Sequence, residues 1–320
     1  VLSVAPSAVA GYKILASGGY VYVPDHTGDN LSIVNVTDPT SPRVVAALAP
    51  GSPIDLVKSG NYIYVINYGT SVLSVYDVTN PDRPVAVTST STGIEPQGIT
   101  LSGDKLYVTS IGDNLLSVYD ISNAIDPLLI STTTVSTGPY FSAISGNYAY
   151  VTGFTDNTLD VVDISNPSAP VVVSNIPLSA NAFQVETSDK GYTYVASYSG
   201  DIFVIDTRNP LVPTLITTLP GSTFGRIKLS GDFLYTSSVS ARALDIYDVS
   251  NPSNPKLQRS IEVPSEVYSL DVVGKYAYTS GPNGTAIISL EGVTSQTGIF
   301  DSLVARFSSF LESFRVTGTS

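Results

Sequence analysis

Gly60-Asn61-Tyr62-Ile63-Tyr64-Val65, followed after a short gap by Leu73-Ser74-Val75-Tyr76-Asp77-Val78-Thr79-Asn80-Pro81, recurs with small changes along almost the whole chain. The second tyrosine is the cleanest marker of the period: Tyr22, Tyr64, Tyr107, Tyr150, Tyr194, Tyr235 and Tyr278. Successive gaps are 42, 43, 43, 44, 41 and 43 residues. A repeat of fixed period decides an architecture before any local reading does. Seven copies of a unit this long fit four short strands and their turns.

Within a unit, polar and apolar residues alternate with period two and β-branched and aromatic residues dominate, so each piece reads as a half-buried strand. Residues 95–131 show the order. Pro96 to Leu101 is a first strand, and Ser102-Gly103-Asp104 is a tight turn where glycine takes positive φ without steric cost. Leu106 to Ser110 is a second strand, Leu116 to Ile121 a third after Gly112-Asp113-Asn114, and Leu128 to Ser131 a fourth. Elsewhere the third strand ends at Asp38-Pro39, Asn80-Pro81, Asn166-Pro167, Asn209-Pro210 or Asn251-Pro252; unit three has Ala124 instead. Proline cannot donate to a ladder and so marks a strand end. Four antiparallel strands repeated seven times around an axis make an all-β, seven-bladed β-propeller.

The pattern Gly-x-Tyr-x-Tyr-Val, then Leu-x-Val-x-Asp-Val-x-Asn-Pro-x-x-Pro as in residues 73–84, resembles the LVIVD-repeat and YVTN-type propellers of bacterial and archaeal surface proteins. The resemblance covers roughly residues 10–290. It implies the propeller fold and an extracytoplasmic setting, and carries over no catalytic residue.

Ring closure is also readable. The seventh unit has strands at Val267 to Val272, Tyr276 to Ser280 and Ala286 to Leu290, and then Glu291-Gly292 replaces the proline turn, leaving a fourth strand missing. Val1, Leu2, Ser3, Val4 and Ala5 resemble Val85-Ala86-Val87 of an earlier fourth strand, so residues 1–5 are expected to close the seventh blade. The rival expectation is that this strand is lent to a neighbouring molecule. The propeller is thus read as residues 1–290.

The 320 residues contain no Cys, so neither disulfides nor thiol chemistry is available. No Met occurs even at position 1, and no apolar run approaches about 20 residues. The expectation is a secreted chain in its mature form after signal removal, at the cell surface or outside the cell, with no membrane span. The net charge of −12, from 27 acidic and 15 basic residues, argues against nucleic acid or an anionic membrane as partner.

After a polar linker at 291–298, residues 299–316 change character. Ile299, Phe300, Leu303, Val304, Phe307, Phe310, Leu311 and Phe314 fall at 3-4 spacing, which predicts an amphipathic helix. Four of the ten phenylalanines lie here, and leaving them wet would forgo about 1.5–3 kcal/mol each. The helix is expected to fold back on its own propeller, to dock on a neighbouring subunit, or to lie on a membrane surface.

Candidate chemistry is sparse. His26 is the single histidine and sits in a turn, which with no Cys excludes ordinary zinc sites; it reads as a solvated turn residue. Asn35, Asp77, Asp120, Asp163, Asp206 and Asp248, with Ser289 in unit seven, form a ring of equivalent places just before the proline turns, where each carboxylate is expected to accept turn N–H groups. Asp29-Asn30, Asp113-Asn114 and Asp156-Asn157 read as Asx turns rather than calcium loops. First-strand residues Lys13, Asp55, Gln184 and Arg226 lie near the channel mouth as a mixed-sign set without paired carboxylates. Asn30-Leu31-Ser32, Asn35-Val36-Thr37 and Asn283-Gly284-Thr285 permit glycosylation.

The sequence therefore predicts no catalytic residues, no metal and no cofactor. It points to a structural or adhesive propeller whose partners are other copies of itself or other surface proteins, with glycans as a further class. It is expected to be a self-assembling subunit of an extracellular filament or layer. The alternative is a ligand-binding or hydrolytic propeller with its site at the channel mouth.

Overall fold

The computed structural model describes residues 13–220, 226–238, 242–263 and 266–290, together with strands Leu303–Phe307 and Phe314–Val316. Seven antiparallel sheets follow one another along the chain, each in sequence order. Blade 2, for example, runs Pro53–Ser59, Tyr62–Asn67, Val72–Asp77 and Val85–Ser91 from axis to rim. First strands of successive blades touch from blade 2 to blade 7, the second strand of blade 1 touches the first of blade 2, and Leu15–Ser17 of blade 1 touches Ser269–Val273 of blade 7, closing the ring.

The second and third strands are covered on both faces, not one as the alternation alone suggests. Ile63, Tyr64, Val65 and Ile66 are all fully buried. Each blade is sandwiched between two others, so the period of two sorts side chains between neighbours instead of between core and water. Tyr64 and Ile66 pack with Ile99, Leu106 and Val108 of blade 3, whereas Ile63 and Val65 pack with Leu31 and Ile33 of blade 1. Seven such apolar layers exist, one per junction. The last holds Ile14, Val21 and Val34 of blade 1 against Tyr278 and Ile287 of blade 7.

The tail differs from its expected form. Leu303–Phe307 is a strand paired with Gly284–Ser289 in the register Ala286–Phe307, Ile287–Arg306 and Ile288–Ala305, and Phe314–Val316 adds a fifth strand. The expected helix over 299–316 is therefore corrected at Leu303, Val304, Phe307 and Phe314. The third strand of blade 7 presents a row of backbone donors and acceptors that another strand satisfies and a helix does not. Short apolar runs fit either period, so the 3-4 spacing could not separate the two. Ile299, Phe300, Phe310, Leu311, the linker 291–298 and the expected closing residues Val1, Leu2, Ser3, Val4 and Ala5 lie outside the described residues. The place beside the third strand of blade 7 is held by Leu303–Phe307.

At the far end of the third strands of blades 1 to 6 the expected Asx clips are present. The side-chain oxygens of Asp77, Asp120, Asp163 and Asp248 accept the backbone N–H of Thr79 at 2.7 Å, Ser122 at 2.7 Å, Ser165 at 2.8 Å and Ser250 at 2.9 Å. Asn35 and Asp206 do the same for Thr37 and Arg208. Three residues further on, Asp38, Asn80, Asn166, Asn209 and Asn251 repeat the device across the proline turn. Between first and second strands, Gly60, Gly103 and Gly146 sit at φ of 55°, 58° and 57°, in the left-handed region where a Cβ is unfavourable.

These clips make stability pH-dependent. Hydrogen bonds from Ser122, with Lys105 alongside, hold the Asp120 carboxyl down to about 2. The clip hydrogen bonds also lower Asp77, Asp163 and Asp248, whereas Asp206 is lowered chiefly by the side chain of Arg208 and less by its clip bond. A folded-state value below the unfolded one, roughly 3.9, gives stability that is complete above that value and lost as pH falls through the folded value. Thermal midpoints are thus expected to hold near pH 5 and drop progressively toward pH 2. Asp120→Asn, which keeps the acceptor as Asn35 does, is expected to flatten that slope slightly, and Asp120→Ala to lower the midpoint at every pH. At the alkaline end, burial pushes the phenols of Tyr22, Tyr64 and Tyr119 up to about 12. Because the folded values are raised, stability is expected to fall as pH rises above about 10, where unfolded tyrosine ionises; absorbance-monitored denaturation checks it.

Candidate functional site: the axis and its aromatic mouth

Of the four residues expected near the channel mouth, the structure brings Lys13 and Asp55 together and places Gln184 and Arg226 at the matching place in blades 5 and 6. Lys13 Nζ lies 3.5 Å from Asp55 Oδ2 and 3.4 Å from the Ile99 carbonyl, spanning blades 1 to 3. Asp55, with no exposed surface, also accepts the N–H of Leu56 at 2.6 Å and of Ile99 at 3.1 Å. Burial pushes its carboxyl up against the opposing pull of Lys13 and these two donors. Gln184 exchanges two hydrogen bonds with the backbone of Ile227, at 2.9 and 3.2 Å.

Two residues further along, the sequence reading missed a second charged set: Glu186, Lys228 and Asp271, each opposite a marker tyrosine in its sheet. Their spacing of 42 and 43 residues is the repeat period itself, and that signal could have found them. Lys228 Nζ is 3.4 Å from Asp271 Oδ1 and 3.9 Å from Glu186 Oε1. Burial pushes the Glu186 carboxyl up, with Lys228 and then Lys13 opposing; for Lys228 the attraction of Glu186 outweighs burial and raises it. The side chains of Lys13, Lys228 and Glu186 keep 29%, 30% and 21% exposure, so water reaches this part of the axis.

These polar groups bolt blades together, and every junction has one. Lys13–Asp55 joins blades 1 and 2, Asp55–Ile99 joins 2 and 3, and Gln184–Ile227 joins 5 and 6. Thr109 Oγ1 donates to the Tyr140 carbonyl at 2.6 Å and Thr152 Oγ1 to that of Phe183 at 2.9 Å. Arg226 Nε donates to the Tyr268 carbonyl at 2.7 Å, and the Ala16 N–H to Asp271 Oδ2 at 2.8 Å. Gly98 belongs to the same ring: a Cβ there would lie 2.5 Å from the Tyr140 carbonyl, so blades 3 and 4 could not approach as they do.

The acidic turns at the mouth are likewise engaged with backbone. Asp29 Oδ1 accepts the N–H groups of Gly51 and Ser52, Asp113 Oδ2 that of Ile94, and Asp156 Oδ2 that of Thr137. Asp29 ties its turn to the loop leading into the next blade, whereas Asp113 and Asp156 tie theirs to the loop leading into their own blade. Among the described residues no three His, Cys, Asp or Glu side chains are grouped as a metal site.

A family model for the LVIVD repeat matches residues 12–48, 50–92, 95–135, 143–176, 184–219 and 221–263. The chain belongs to the LVIVD-repeat family. The third strands carry the motif: Leu73-Ser-Val-Tyr-Asp77, Leu116-Ser-Val-Tyr-Asp120 and Leu159-Asp-Val-Val-Asp163, each ending on its Asx clip. A functionally unknown protein from Desulfotomaculum acetoxidans DSM 771 has a similar structure, with TM-score 0.74 and 12% identity over 94% of this chain and 100% of that one. A Lactobacillus plantarum protein gives 0.72 and 16% over 81% and 86%. Kuenenia stuttgartiensis hydrazine synthase gives 0.72 and 18% over 90% and 97%. At such identities the likeness is one of fold. No curated protein sequence matches.

The LVIVD propeller has one feature beyond its bolts, an aromatic cluster at the mouth of blades 4 and 5. Tyr140, Phe154, Phe183 and Tyr198 stack with centroids 4.8 to 6.3 Å apart, and Tyr198 is 36% exposed. The Arg226 guanidinium lies 4.3 Å from the Phe183 ring centroid, a cation–π contact that shields a buried charge. Phe154 and Tyr198 hold the place that part-buried His26 holds in blade 1, directly after the second strand.

If the axial groups are bolts, removing one should loosen one junction. Asp271→Ala leaves the Ala16 N–H without its acceptor and is expected to destabilise by roughly 1–3 kcal/mol. Hydrogen exchange should accelerate first in blades 1 and 7, whereas Glu186→Gln should leave those blades protected.

Proposed function

We propose that this LVIVD propeller is a non-enzymatic, extracytoplasmic structural module that assembles with copies of itself through the outer edges of its blades. The observation that carries this is the makeup of four consecutive rim strands, Val85–Ser91, Leu128–Thr134, Val171–Pro177 and Thr214–Leu219, which contain no charged residue. Each is the last strand of its sheet, with one backbone edge left over. Soluble sheet proteins usually guard such edges with lysine, proline or inward charges. Here the rim carries Val85, Leu128 and Val171 at 61%, 64% and 58% exposure.

A second copy is the partner that fits. Every copy presents the same uncharged edges, so antiparallel pairing is self-complementary, and the net charge of −12 is carried away from them. Blade 7, extended to five strands, supports the reading that blade edges accept another strand. Against hydrolysis stand the bolts, which already occupy the axial carboxylates. The extracytoplasmic setting rests on the chain's cysteine-free, weakly charged composition. Among the described residues no helix is long and apolar enough to cross a membrane.

Placing lysine on the rim tests the proposal. Val87→Lys, Leu129→Lys, Val172→Lys and Leu215→Lys together are expected to reduce self-association at least tenfold, read by sedimentation velocity and electron microscopy, with thermal midpoint nearly unchanged. A wild-type chain that stays monomeric at high concentration, or a variant that assembles as well as wild type, would count against it.

A further inference from the structure

Five of the six clips that end the LVIVD motif use aspartate; blade 1 alone uses asparagine, Asn35. The clip has the form Asp-x-Thr or Asp-x-Ser in four of those five, so the single change to asparagine creates Asn35-Val36-Thr37, a glycosylation acceptor. Asparagine gives up the charge-assisted strength of a carboxylate acceptor at this place. The exchange therefore costs the clip something and calls for another use of the residue.

The structure also separates this acceptor from the other two. At Asn30 the side-chain nitrogen donates to Ser32 Oγ at 2.9 Å, and Ser32 is 1% exposed inside a strand. Thr285, the hydroxyl residue paired with Asn283, is 1% exposed as well. At Asn35 both members are reachable: Asn35 is part-exposed at the end of its strand and Thr37 is exposed. Asn35 Oδ1 accepts the Thr37 N–H at 3.0 Å and the Thr37 hydroxyl at 2.7 Å. The carbonyl oxygen alone makes the clip, so the amide nitrogen can be substituted without breaking it. That nitrogen carries two hydrogens, and the neighbouring Tyr20 hydroxyl, a hydrogen-bond partner of Asn35, needs only one.

We propose that Asn35 is a glycosylation site of this protein and carries an oligosaccharide on its amide nitrogen. The donor is a sugar linked through diphosphate to a polyprenyl lipid. The Asn35 nitrogen forms a bond to sugar C1, and the bond from C1 to the diphosphate oxygen breaks. The polyprenyl diphosphate leaves with the bonding electrons, and the amide proton passes to a base of the transferase. The inference rests on the extracytoplasmic reading, since such donors act on exported chains, and it is independent of rim assembly.

The test is mass spectrometry of the protein isolated from its native cells, with peptide mapping. The peptide holding Asn35 is expected to run heavier than its sequence by whole sugar residues, while those holding Asn30 and Asn283 run at sequence mass. Asn35→Asp, which restores the residue of the other blades, and Thr37→Ala, which removes the hydroxyl and keeps Asn35, should each return the peptide to its sequence mass. An Asn35 peptide at sequence mass, or sugar on Asn30 or Asn283 instead, overturns the proposal. Fractionation of the same cells separates its failure from a failure of the extracytoplasmic reading.

Discussion

Burial of both faces of every blade is the constraint on which the structure depends. A four-stranded sheet with apolar side chains on both sides cannot stand in water by itself. Tyr64 needs blade 3, Ile63 needs blade 1, and the same holds around the ring until Tyr278 and Ile287 of blade 7 meet Ile14 and Val21 of blade 1. Apolar layers have no preferred register, and the bolts at the axis provide one. Asp55, Gln184, Arg226 and Asp271 each reach a specific backbone group of the next blade.

Carboxylates serve opposite roles according to where the strand places them. At the outer end of the third strands, Asp120 receives hydrogen bonds in open solvent and is held in its charged form. At the axis, burial pushes Asp55 and Glu186 the other way, and lysines restrain the shift. One residue type thus clips turns in one ring and bolts blades in another.

Features set by short-range chemistry were legible in the sequence. The tyrosine period gave the blade number, the glycine turns gave strand ends, and the aspartate before each proline turn gave the clip, because each depends on residues a few positions apart. Lys13, Asp55, Gln184 and Arg226 could be placed near the axis by repeat register, but what they touch could not, since each partner lies about one repeat or more away in sequence. Glu186, Lys228 and Asp271 went unnoticed because their three blades differ in residue type at that place, and repeat patterns draw the eye to what recurs. The tail misled for a different reason: the spacing of Phe300, Leu303 and Phe307 suits a helix, while the open edge of blade 7 asks for a strand. Edge satisfaction is a property of the assembled ring and is invisible in a local window.

Six of the seven junctions join blades that follow each other directly in the chain, whereas among the described residues blades 7 and 1 are held by an apolar layer, the Asp271 bolt and contact between their first strands. Tension applied between Lys13 and Leu290 therefore falls on this seam first. The other junctions stay slack until it parts. Resistance to pulling is governed by the rate at which the weakest loaded contact opens rather than by total stability. The wheel is accordingly built like a clasped bracelet, whose breaking strength is that of its clasp.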